Sequence, residues 1–136
     1  DYIAALPMSL FFLDFDHNSP NAEHLKAHHE SFFLKIREKN PDLPVIMATK
    51  TDIPRSPAAE KSNAAHRAVV YETYENAVKR GDRNVIFIDG ATVFSKALTL
   101  SAPADSCTVD GCHPNDLGFA CMAKVFGDAI EKMFGL

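Results

Sequence analysis

The chain has 136 residues, 46% of them hydrophobic, with 14 basic and 18 acidic side chains and a formal net charge of −4. That size and balance describe one globular domain or part of one and exclude a disordered segment. The charges are mixed along the chain without a basic stripe, which argues against nucleic acid, and apolar runs such as Leu10-Phe11-Phe12-Leu13 are far too short to span a bilayer.

The chain starts at Asp1, and the stretch to Pro7 reads as the frayed end of a helix. It is therefore expected to begin inside a larger protein. Residues 1–136 are read as the C-terminal portion of a single domain whose N-terminal segment is missing. No stretch has signal or transit composition; the chain reads as soluble, and without its natural N-terminus both the cytoplasm and secretion stay open.

Ser9 to Phe15 reads as the first strand, apolar on both faces. Asp16-His17-Asn18-Ser19-Pro20 follows as a polar turn. A helix is predicted from Ala22 to Lys39, with Leu25, Phe32, Phe33 and Ile36 on one face and Pro41 and Pro44 stopping it. Pro44 to Thr49 reads as a second strand, followed by the polar loop Lys50 to Pro57. The second helix is predicted from Ala59 to Arg80, with Ala65, Ala68, Val69, Tyr74, Ala77 and Val78 recurring at helical spacing and Gly81 as its stop. Asn84 to Asp89 is the third strand, and Lys96 to Val109 a long connection. The last helix runs from Asn115 to Phe134, with Asn115 or Asp116 as cap and an apolar stripe of Phe119, Met122, Ala123, Phe126, Ile130 and Met133.

Strands that are apolar on both faces and alternate with helices argue for a parallel sheet covered on both sides. In such sheets ligands sit beyond the carboxyl ends of the strands. Chain order sends three polar clusters to that edge: Asp16 to Ser19, Lys50 to Asp52, and Asp110 to His113. Three strands are few for a fold of this kind, as the missing N-terminal segment would explain.

Asp110 and His113 stand three apart, just before Pro114-Asn115-Asp116-Leu117-Gly118-Phe119. An acid that orients an imidazole is two thirds of a hydrolytic triad. The motif resembles the last sequence block of the SGNH hydrolases, also called the GDSL esterase/lipase superfamily. Leu13 to Asn21 resembles that family's third block, where a strand delivers an Asn. This block departs from the family's Gly-x-Asn-Asp, with Asp16 at the Gly position and Ser19 at the final Asp position.

The resemblance implies a three-layer α/β/α sandwich with a flavodoxin-like parallel sheet. It implies a serine esterase that hydrolyses carboxylic esters, such as acetylated carbohydrate or lipid, through an acyl-enzyme. His113 would be the general base, Asp110 its orienting acid and Asn18 an oxyanion donor. His17 and Lys50, at the same edge, are candidate substrate contacts. No metal or organic cofactor is implied, and the expected partner is a small-molecule ester. No serine here stands in a Gly-Asp-Ser or Gly-x-Ser-x-Gly context, so the nucleophile is expected upstream of Asp1 and this chain alone should be inactive.

Two other classes stay open: a non-catalytic binding domain of the same fold, and a metal-dependent hydrolase using His24 and His28, four apart on the first helix. A solvated helix face is the simpler reading of that pair, and His66, without a sequence partner, reads as a surface residue. Cys107 and Cys112 flank Asp110 and could bridge, with free thiols the simpler state. Cys121 reads as a packing residue of the last helix.

Overall fold

The computed structural model describes residues 2–98 and 103–136. Three strands, β1 (Phe11–Leu13), β2 (Val45–Ala48) and β3 (Val85–Ile88), form one parallel sheet in the order β1-β2-β3. Phe11 pairs with Val45, and Val45 in turn with Val85. Helix α1 (Ala22–Lys39) joins β1 to β2, and α2 (Pro57–Lys79) joins β2 to β3. The short α3 (Val93–Ala97) and the long α4 (Asp116–Phe134) follow β3.

The all-buried β2 divides the core in two. Val45 and Met47 pack with Leu25, Phe33, Val70 and Ala77 beneath α1 and α2. Ile46 and Ala48 point the other way, toward Val93, Phe94, Cys121 and Phe126 of α3 and α4. Period-two alternation along a strand apolar on both faces thus produces the expected three layers. Crossovers that are right-handed and advance in one direction put α1 and α2 on the same face.

The caps explain the helix boundaries. Asn21 Oδ1 accepts from the His24 N–H at 2.8 Å to start α1. Ser56 Oγ accepts from the Ala59 N–H at 3.1 Å, with Pro57 in the first turn, so α2 starts at Pro57 rather than Ala59. Gly135, at φ +68°, closes α4 in the left-handed conformation. The strands are shorter than predicted; β1 ends at Leu13 because the chain turns into a single 3-10 turn over Asp16–Asn18. The predicted connection from Lys96 to Val109 lies partly outside the described residues. Its described parts hold the end of α3 and a 3-10 turn at Ala104–Cys107.

Helix α2 buries only part of the predicted stripe: Val69 and Ala77 are in the core and Tyr74 packs against it. His66, Val69, Val70, Thr73 and Ala77 face the core, while Ala65, Ala68 and Val78 are exposed. His66, expected at the surface, is only 3% exposed. Small alanines carried the apparent periodicity, but the inward stripe includes polar side chains that hydropathy does not mark. His29 on α1 is also fully buried, stacks on Phe15 at 5.5 Å and shares a 2.9 Å hydrogen bond with Thr73 Oγ1.

Burial holds His29 neutral, lowering its pKa from 6.5 to about 4. Above pH 6.5 neither the folded nor the unfolded residue is charged. As pH falls from there, the unfolded chain takes up a proton that the folded chain refuses until about pH 4, so stability declines across that window. The total loss is on the order of 3 kcal/mol. His66 is shifted in the same direction, by burial and then by Lys50. A His29→Phe variant, measured by urea unfolding across this window, should lose less stability on acidification than the parent. Parallel stability-versus-pH curves would show that His29 does not set the slope.

Candidate active site

The carboxyl ends of the strands gather the predicted clusters. After β1, Asp16 turns inward and is 1% exposed. Its Oδ2 accepts from the Lys50 backbone N–H at 3.1 Å, tying the loop after β1 to the loop after β2. Burial raises the Asp16 pKa, opposed by the Lys50 N–H bond. Thr49 Oγ1 accepts from the Gly90 N–H at 2.8 Å and links the ends of β2 and β3. Between these tethers, Lys50 keeps a mostly buried side chain whose Nζ lies 3.9 Å from Asp52 Oδ2.

The loop carrying Asp110 and His113 closes on itself. The Val109 N–H donates to the His113 carbonyl at 2.9 Å, and Thr108 bridges Pro114 in antiparallel fashion. Gly111 takes φ +94°, a conformation open to glycine and costly to other residues. The Ile53 N–H donates to the Gly111 carbonyl at 2.6 Å, fastening the loop to the segment after β2. Asn115 Oδ1 accepts from the Gly118 N–H at 3.0 Å and starts α4 directly behind it.

Inside this turn Asp110 Oδ1 accepts from the backbone N–H groups of Cys112 and His113, both at 2.8 Å. Its Oδ2 lies 2.7 Å from His113 Nδ1. The backbone bond from His113, its side-chain bond and the bond from Cys112 hold the carboxyl well below the usual carboxylate range. An ionised carboxylate only accepts, so Nδ1 carries the proton and Nε2 offers a lone pair outward. The imidazole is 73% exposed, in position to meet an incoming group.

A cavity of about 290 Å³ lies beside this pair, lined by His17, Asn18, Lys50, Cys112, Phe119 and neighbouring residues. Three of the five predicted site residues, His17, Asn18 and Lys50, thus share one cavity. Asp110 and His113 form their own pair; His113 is not in the cavity wall, although its neighbours Cys112 and Pro114 are. Phe119 and Phe126 of the apolar stripe give the cavity an apolar side.

Three residues here take parts that the sequence reading did not give them. Asp16, noted only as a departure from a motif, is the buried tether. Asp52 lies 3.4 Å from His17 Nδ1, and Cys112 Sγ lies 3.2 Å from His17 Nε2. The available signal was that all three belong to the polar clusters at the strand ends. The Cys107–Cys112 bridge is not formed: all three thiols are free, and Cys107 instead faces Cys121 at 4.0 Å. His24 and His28 stack at 4.3 Å on the exposed side of α1, their Nδ1 atoms turned to Ser19 Oγ and the His24 carbonyl. Among the described residues, the one group of histidine, cysteine and acidic side chains compact enough to share an ion is His17, Asp52 and Cys112.

A parallel α/β sandwich with an acid–imidazole pair at its ligand edge defines the class. Residues 1–131 match the model of the GDSL-like Lipase/Acylhydrolase family, and the chain belongs to that family. A solved structure described as a GDSL-like lipase from Bacteroides ovatus ATCC 8483 is 27% identical, with a TM-score of 0.81 over 98% of this chain and 38% of that one. Salicylyl-acyltransferase SsfX3, from a tetracycline biosynthetic pathway, shares the fold at 24% identity and a TM-score of 0.68, covering 90% of this chain and 37% of that one. The chain therefore spans well under half of either structure. None of the curated proteins matches it. No helix among the described residues is long and apolar enough to cross a membrane.

Gly111 tests the turn. A Cβ there would stand 2.9 Å from the Ile53 carbonyl oxygen and 2.7 Å from Arg55 Nε, on top of the positive φ. Gly111→Ala should destabilise the protein by about 1–3 kcal/mol, seen as a lowered thermal midpoint. An unchanged midpoint would mean that the turn tolerates a side chain.

Proposed function

We propose that this chain carries the base-and-acid half of a serine-dependent carboxylic ester hydrolase whose nucleophilic serine comes from a segment outside these 136 residues. The observation that carries the reading is the 2.7 Å contact between Asp110 Oδ2 and His113 Nδ1, in a turn that leaves Nε2 free. Family membership and the cavity holding Asn18 support it.

In this reading His113 Nε2 takes the serine proton as the hydroxyl attacks the ester carbonyl. Asp110 keeps Nδ1 protonated and stabilises the imidazolium that forms. The Asn18 amide donates to the oxyanion, and its removal from such a site costs about 3 kcal/mol. His113 returns the proton to the leaving alcohol, then activates water to release the acyl group. His17 and Lys50 contact the substrate, with the Lys50 ammonium suited to a polar acyl or sugar group. Phe119 and Phe126 would take its apolar part. Acetylated carbohydrate and lipid esters both fit a cavity with one cationic and one aromatic side. The chemistry needs no metal or organic cofactor.

In the full-length protein, His113→Ala should abolish hydrolysis of a short-chain aryl ester. Asn18→Ala should lower kcat about 100- to 1,000-fold. Steady-state kinetics on both variants decide it, and undiminished turnover by His113→Ala would sink the assignment.

A further inference from the structure

His17 stands between two groups. Its Nδ1 faces Asp52 Oδ1 at 3.4 Å, and its Nε2 faces Cys112 Sγ at 3.2 Å. The three residues come from three loops: the turn after β1, the loop after β2 and the turn before α4. Asp52 Oδ1 is buried and makes no hydrogen bond, so the His17 ring stands beside it at ion-pair distance. A carboxylate facing one ring nitrogen and a thiol facing the other favour the useful tautomer, with Nδ1–H toward Asp52 and the Nε2 lone pair toward the thiol hydrogen. Cys112 is half-buried and lines the same cavity as Asn18.

We infer that Cys112 is a second, thiol nucleophile of this cavity, with His17 as its general base and Asp52 as the residue positioning His17, and that it captures acyl groups from activated donors such as thioesters or aryl esters. The inference shares the cavity of the esterase reading but requires neither His113 nor a serine. Cys112 Sγ–H gives its proton to His17 Nε2 as sulfur attacks the acyl carbon. The carbon–sulfur or carbon–oxygen bond to the leaving group breaks, and that thiol or phenol leaves with the proton from His17. The product is an acyl thioester on Cys112, which water hydrolyses slowly to the acid and the free thiol.

Base assistance is required here. Burial first, then the nearby carboxylates of Asp52 and Asp110, push the Cys112 thiol up, so it is protonated at neutral pH. The same three side chains could instead hold a divalent ion. Two features favour the relay. The ring offers a different nitrogen to each neighbour, whereas one ion would take only one. The Lys50 ammonium, 3.9 Å from Asp52 Oδ2, already supplies positive charge to that carboxylate.

The full-length protein and its His113→Ala variant would be treated with para-nitrophenyl acetate, quenched in acid and peptide-mapped by mass spectrometry. One acetyl group on Cys112 is expected in both, removable by neutral hydroxylamine. His17→Gln should slow this acylation on the order of 100-fold. Asp52→Asn should also slow it, and Asp52→Glu should restore part of the rate, which a merely structural role would not require. Unmodified Cys112 beside normal ester turnover would overturn the inference while leaving the serine-dependent reading in place. Equal acylation in His17→Gln would also overturn it, as would acylation that responds to a metal chelator.

Discussion

The Asp110 carboxylate closes its own turn before it holds an imidazole. Oδ1 takes the N–H groups of Cys112 and His113, and only then does Oδ2 reach His113 Nδ1. One charged side chain thus sets the loop's backbone and the ring's orientation together. Charge-assisted bonds of this kind are the stronger sort. They keep the acid ionised although it is exposed, so the pair does not rely on a buried, low-dielectric setting. The turn also fixes Cys112, whose N–H is one of the two donors.

The sheet supplies the frame. Because β2 is buried on both faces, it cannot slip by a residue without exchanging Val45 and Met47 for Ile46 and Ala48 between the two cores. Its register therefore fixes where Thr49 and Lys50 emerge. From there the Asp16–Lys50 and Thr49–Gly90 hydrogen bonds carry that position to the neighbouring loops. Asp16 is the unusual member. Its Oδ1 has no partner, an energetic cost set against a bond that joins two loops 34 residues apart.

Much of this was legible in the sequence for local reasons. The span of α1 follows from its apolar face and the Pro41 stop, and the Asp110–His113 pair from a spacing of three within one turn. The polar clusters were traceable to one edge because parallel strands all end there. What was not legible depended on distant partners. His17 and Cys112 are separated by 95 residues, His29 and Thr73 by 44. Hydropathy counts a histidine as polar, so His29 and His66 were invisible as core residues until their neighbours were known. The α2 stripe misled for the complementary reason: alanine fits either face of a helix.

The two imidazoles at this edge differ in a way that bears on what each can do. His113 pairs with a carboxylate that is half exposed and bound by two backbone N–H groups. Those bonds already satisfy much of the negative charge, so Asp110 mainly orients the ring. His17 faces Asp52, which is 17% exposed and whose Oδ1 makes no hydrogen bond. Charges interact more strongly where water is excluded, an advantage of the Asp52 carboxylate that its longer 3.4 Å contact, against 2.7 Å at His113, and Lys50 nearby reduce. Position opposes that advantage. His113 is open to an incoming group, whereas the inner nitrogen of His17 is occupied by a thiol. The exposed ring is thus suited to a nucleophile delivered from elsewhere, and the enclosed ring to the one it already touches.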